Sequence, residues 1–127
     1  MTENIRHMTA YFRQKGHIMI QAILGSKNAE RVLMYIFARS EGYAREIAGF
    51  YNTDLKSIQS QLEKFDKSGI LASRTVGRTR PYVFNPRYPF LRELKALLEK
   101  ALSFYPEDER ERLVMNRRRP RARGKSF

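Results

Sequence analysis

From residue 26 onward, apolar positions recur at helical spacing, break once into a strand-like stretch, and return to helical spacing. Ala29, Val32, Leu33, Ile36 and Phe37 fall at i, i+3, i+4, i+7 and i+8, which lines one face of an α-helix. Ser26 suits its N-cap, and Glu41-Gly42 stops it. Ala44, Ile47, Ala48 and Tyr51 repeat the pattern in a shorter helix that Asn52-Thr53 closes. Asp54 then caps a third helix, with Leu55, Ile58, Leu62 and Phe65 as its inner stripe and Gly69 as a left-handed stop.

The period changes at Ile70. Ile70-Leu71-Ala72-Ser73-Arg74-Thr75-Val76 is strand-like in length and branching, Gly77-Arg78-Thr79-Arg80 is turn-like, and Tyr82-Val83-Phe84 returns. This predicts a hairpin. Pro81 argues against a central strand, but a two-stranded ribbon has only edges. Asn85-Pro86 ends it. Pro89 opens a long helix carrying Leu91, Leu94, Leu98, Ala101, Leu102 and Tyr105, and Pro106 closes that helix. Upstream, Ile5, Met8, Tyr11 and Phe12 fit one helical face until Gly16 interrupts. The run Ile18-Met19-Ile20 with Ile23-Leu24 fits strand or helix equally. The aromatics Tyr35, Phe37, Tyr43, Phe50, Tyr51 and Phe65 are expected in the core.

Charge adds a direction. The 127 residues hold 25 Lys and Arg against 13 Asp and Glu, a net of +12. Residues 1–112 contain all 13 acids beside 19 bases, a net of +6. Residues 113–127 contain Arg117, Arg118, Arg119, Arg121, Arg123 and Lys125 with no acid. With Pro120, Gly124 and few large apolar groups, this tail cannot offset its ordering entropy and is expected to be disordered. A second basic cluster, Arg74, Arg78 and Arg80, lies in the hairpin. Such a balance points to a polyanionic partner.

Other chemistry is sparse. The chain has no Cys, which excludes disulfides, thiolate metal sites and a thiol nucleophile, and its two His, His7 and His17, are isolated. No phosphate-binding loop, dinucleotide turn, His-Glu-x-x-His or serine elbow occurs, so neither an enzyme nor a cofactor is expected. Glu107, Asp108, Glu109 and Glu111, interleaved with Arg110 and Arg112, read as a solvated helix start or a short acidic-basic turn before the tail, not as a catalytic carboxylate pair. No apolar run nears the roughly 20 residues of a membrane span, and the first residues lack a secretory signal. A cytoplasmic protein without a membrane partner is expected.

The order of helix, short helix, tight turn, helix and basic-tipped hairpin resembles the winged helix-turn-helix family of DNA-binding transcriptional regulators, over roughly residues 25–85. The resemblance is carried by Gly25-Ser26-Lys27-Asn28-Ala29-Glu30-Arg31-Val32-Leu33, by Tyr43-Ala44-Arg45-Glu46-Ile47-Ala48, by Leu55-Lys56-Ser57-Ile58-Gln59-Ser60-Gln61-Leu62-Glu63-Lys64-Phe65, and by Ser68-Gly69-Ile70-Leu71. It implies a mainly α fold with a small β-hairpin. The divisions are an N-terminal extension (1–24, helix and/or strand), the winged helix-turn-helix domain (25–86), a C-terminal helix (87–106) and a flexible basic tail (107–127).

The resemblance also implies that the third helix enters the major groove of duplex DNA. Its outer face shows Lys56, Ser60, Glu63 and Lys64, with Ser57 and Gln59 at the flanks. Lys56, Ser57, Gln59 and Ser60 come nearest the base edges, where Gln suits adenine and Lys suits guanine or a phosphate. The face has no Arg, and Glu63 repels phosphates unless it accepts from a cytosine amino group or pairs with a cation. Arg74, Arg78, Thr79 and Arg80 of the hairpin, and Arg117, Arg118 and Arg119 of the tail, are expected on phosphates or in the minor groove. In the last helix Phe90, Leu94, Leu97 and Ala101 form a second stripe beside Leu91, Leu98 and Leu102. Phe90, Leu94, Leu97, Leu98 and Ala101 are therefore expected to make a homodimer. The function so implied is sequence-selective regulation of transcription, as a repressor on double-stranded DNA. Two alternatives stay open: an antitoxin-like module that binds a protein or RNA, and a sequence-blind nucleoid-type protein.

Overall fold

The computed structural model describes residues 19–115, which form six helices and one two-stranded antiparallel sheet. The expectations for residues 1–18 and for the basic segment 116–127, Arg117, Arg118 and Arg119 among them, lie outside the described residues. The order is α1 (Gln21–Leu24), α2 (Lys27–Arg39), α3 (Ala44–Tyr51), α4 (Leu55–Lys67), β1 (Leu71–Ser73), β2 (Tyr82–Phe84), α5 (Leu91–Leu102) and α6 (Glu107–Met115). Among the described residues no helix is long and apolar enough to cross a membrane.

α2 is the axis of the molecule. Val32, Leu33, Met34, Tyr35 and Ile36 are all fully buried, five residues in succession. A helix with one wet face cannot do this. α2 is instead surrounded, with α1, α3, α4, α5, α6 and β2 all packed on it. It begins as expected, with the Ser26 hydroxyl accepting from the Ala29 amide at 3.1 Å.

α2 also carries a buried acid. Glu30 is fully buried, and its carboxylate accepts from the Met19 amide at 2.9 Å, the Ile20 amide at 2.7 Å and the Tyr105 hydroxyl at 2.6 Å. A buried carboxylate without partners costs several kcal/mol, and these donors supply them. The segment before α1 and the turn after α5 are thereby fixed to the same side chain.

The need to cover α2 explains two departures from expectation. Leu98 and Ala101 of α5, expected at a dimer interface, are buried in the chain's own core, and Leu94 packs against it. Leu97 is half-buried, and Phe90 alone of that set is exposed, at 62%. The segment from residue 107, expected as a solvated helix start or turn leading into a flexible tail, is instead a packed helix. Leu113 is buried, Glu109 nearly so, and α6 packs on α2. Arg39 holds it, stacking 4.5 Å from the Tyr35 ring and donating to the carbonyls of Leu113 at 3.0 Å and Arg112 at 3.1 Å. Arg112 stacks 4.4 Å from the Phe50 ring and donates to the Phe50 carbonyl at 3.1 Å.

The hairpin pairs Leu71 with Phe84, Ala72 with Val83 and Ser73 with Tyr82. The same register runs on through the Arg74 amide and Pro81 carbonyl to a bridge between Val76 and Thr79. Gly77 and Arg78 form a two-residue tip, with Gly77 at φ +61° as its first central residue. At the other edge of β2, Gly42 and Tyr82 exchange both main-chain bonds, at 3.1 and 2.8 Å. A Cβ at residue 42 would lie 2.9 Å from the Tyr35 ring.

Gly42→Ala is therefore expected to cost about 1–3 kcal/mol through overpacking, seen as a lower urea midpoint at unchanged slope. A second prediction concerns alkali. Burial, reinforced by the neighbouring Glu30 carboxylate, pushes the Tyr105 hydroxyl far above the usual tyrosine range. The unfolded chain releases this proton near pH 10 while the folded chain keeps it, so stability is full below about pH 10 and falls as pH rises further. In urea titrations from pH 9 to 11, Tyr105→Phe should start less stable and decline less steeply, by up to about 1.4 kcal/mol per pH unit.

Candidate nucleic-acid interface

The site is built on the junction between α3 and α4. Asn52, at φ +52°, ends α3, and the Thr53 amide donates back to the Ala48 carbonyl at 3.0 Å. Three residues, 52–54, separate the helices. Asp54 then caps α4, its Oδ2 accepting from the Ser57 amide and the Ser57 hydroxyl, both at 2.9 Å. Those two bonds hold the Asp54 carboxyl below the usual carboxylate range. Ile58, Leu62 and Phe65 are buried as the stripe predicts, so α4 turns its opposite face outward.

The hairpin tip stands beside the flank of α4 between its buried stripe and its outer face. Between them runs an open groove of about 640 Å³. Its walls are Tyr43, Ala44 and Arg45 at the start of α3, Leu55, Gln59, Leu62 and Glu63 on α4, Arg78, Thr79 and Arg80 at the tip, and Tyr82 of β2. A second, shallower hollow lies beside α4, lined by Ser60, Glu63, Lys64, Lys67 and Ser68. Glu63 borders both.

The expected site residues divide accordingly. Gln59, Arg78, Thr79 and Arg80 line the groove together, while Ser60 and Lys64 line the second hollow. Lys56 is exposed on the first turn of α4, outside both. Two of the polar groups are already occupied. The Ser57 hydroxyl is engaged by Asp54, and the Thr79 hydroxyl donates to the Val76 carbonyl at 2.9 Å. Both shape the backbone. Arg74 also stands apart from the groove, 3.9 Å from the Glu41 carboxylate.

Arg45 and Tyr43 are the residues that sequence reasoning missed. Both precede or open a short helix whose apolar stripe draws attention to Ile47 and Ala48, yet the hairpin tip folds back toward them. Arg45 is exposed, and with Arg78 and Arg80 it gives the groove three guanidinium groups. These are donors of the geometry that matches phosphate oxygens. Among the described residues no three His, Asp or Glu side chains are grouped to hold a metal ion.

The chain matches no protein-family model, no curated protein and no solved structure.

Asp54→Ala removes the carboxylate that satisfies the first turn of α4. Faster amide exchange at Ser57, with exchange in α2 unchanged, is the expected result by hydrogen-exchange NMR.

Proposed function

We propose that this protein is a sequence-selective double-stranded DNA-binding regulator of transcription, built as a winged helix-turn-helix and acting as a homodimer. The observation that carries this reading is the groove in which Arg78 and Arg80 of the hairpin tip face Arg45 and the exposed side of α4. In this mode α4 lies in the major groove, which is about 12 Å wide and admits one helix. The hairpin tip and Arg45 lie on the phosphates beside it.

The chemistry supports a division of labour. Arginines at the edge of the site supply sequence-independent attraction and fix the register of the protein on the duplex. Gln59 and Ser60, on the exposed side of α4, offer the donors and acceptors that distinguish base edges. A second copy would double both. Phe90, 62% exposed at the start of α5 and stacked edge-on with Tyr88 at 5.8 Å, offers it an apolar contact.

Selection of bound duplexes from a random library at about 150 mM salt tests the reading. An enriched inverted repeat with half-sites about one helical turn apart is expected. Tight binding with no enriched sequence would leave a non-specific DNA-coating protein, and no duplex binding would refute the proposal. Replacing Arg78 and Arg80 together by Gln should weaken binding to every duplex alike. It should also flatten the slope of log affinity against log salt by about 2.

A further inference from the structure

The exposed side of α4 has an ordered charge pattern. Lys56, Ser60 and Glu63 form its crest, with Gln59 on the flank toward the hairpin tip. Arg45, Arg78 and Arg80 line the hollow on one side of that crest, and Lys64 and Lys67 line the hollow on the other. The duplex major groove has the same cross-section, with phosphates on both walls and base edges between them. The carboxylate of Glu63 is therefore the feature that needs an explanation. It is exposed, and among the described residues it has no ion pair or hydrogen bond, although three arginines share its groove. In a protein that bound phosphates alone, this acid would only weaken the attraction.

We infer that Glu63 is a specificity-determining residue that accepts a hydrogen bond from the exocyclic amino group of a cytosine in the major groove. This rests on the DNA-binding mode proposed above. A carboxylate is an acceptor only, so it suits the cytosine N4 amino group and opposes the O6 and N7 acceptors of guanine. Gln59 lies one turn earlier on the same helix, about 6 Å along its axis. The two side chains are therefore set to meet different base pairs of one half-site.

The test is the same library selection on the full chain and on Glu63→Ala and Glu63→Gln, both exposed changes that leave the core intact. In Glu63→Ala, the preference for cytosine at one position of each half-site should vanish while affinity for random duplex rises about two- to fivefold, since an acid has left a cationic surface. In Glu63→Gln, the preference should move from cytosine to adenine, which Gln meets bidentately. An enriched sequence that is identical in all three proteins overturns this inference and leaves the DNA-binding reading standing. A wild-type chain that enriches no sequence overturns both.

Discussion

The two main-chain hydrogen bonds between Gly42 and Tyr82 decide where the hairpin stands. A two-stranded ribbon of three paired residues is marginal by itself, and its tip has no core to rest on. Tyr82 is paired on both edges, with Ser73 in the hairpin and with Gly42 in the loop between α2 and α3. That loop approaches so closely because residue 42 has no side chain to meet Tyr35. The groove between tip and helices follows from this contact. So does the nearness of Arg45 to Arg78 and Arg80, since α3 begins two residues after Gly42.

Much of the fold is legible in the sequence because its signals are local. The caps at Ser26 and Asp54 each act within three residues, and both form as read. The stripe of Ile58, Leu62 and Phe65 faces inward. The hairpin is found where period 2 replaces period 3.6, although regular pairing covers only Leu71–Ser73 and Tyr82–Phe84. Distant contacts escape this kind of reading. A buried Glu30 looks like one more acid on a helix until the donors 11 and 75 residues away are known. α6 looks like a solvated charge run because its apolar residues, Leu113, Val114 and Met115, come only at its end, and Arg39 meets its carbonyls across more than 70 positions. Leu98 and Ala101 read as surplus apolar surface because no local pattern says that α2 is covered on every side.

The candidate site shows the same limit at smaller scale. Sequence places Ser57, Gln59, Arg78 and Thr79 on exposed faces, yet exposure does not say which groups are free. Ser57 and Thr79 have their hydroxyls engaged in a cap and a turn, whereas the Gln59 amide and the Glu63 carboxylate line the groove. The difference lies in backbone geometry two or three residues away. Net charge is equally uninformative about arrangement: a net of +12 does not say that cations line hollows on both sides of α4.

Glu30 finally bears on where this domain can be cut. Its partners are Met19 and Ile20 on one side and Tyr105 on the other. A shortened chain beginning at α2 keeps the whole apolar core stripe of that helix and looks self-sufficient by its hydrophobic pattern. It would nonetheless strip a buried carboxylate of both amide donors, and the same boundary drawn after α5 would strip it of the hydroxyl. The smallest autonomous unit is thus set by a polar group's need for partners rather than by the extent of the hydrophobic core.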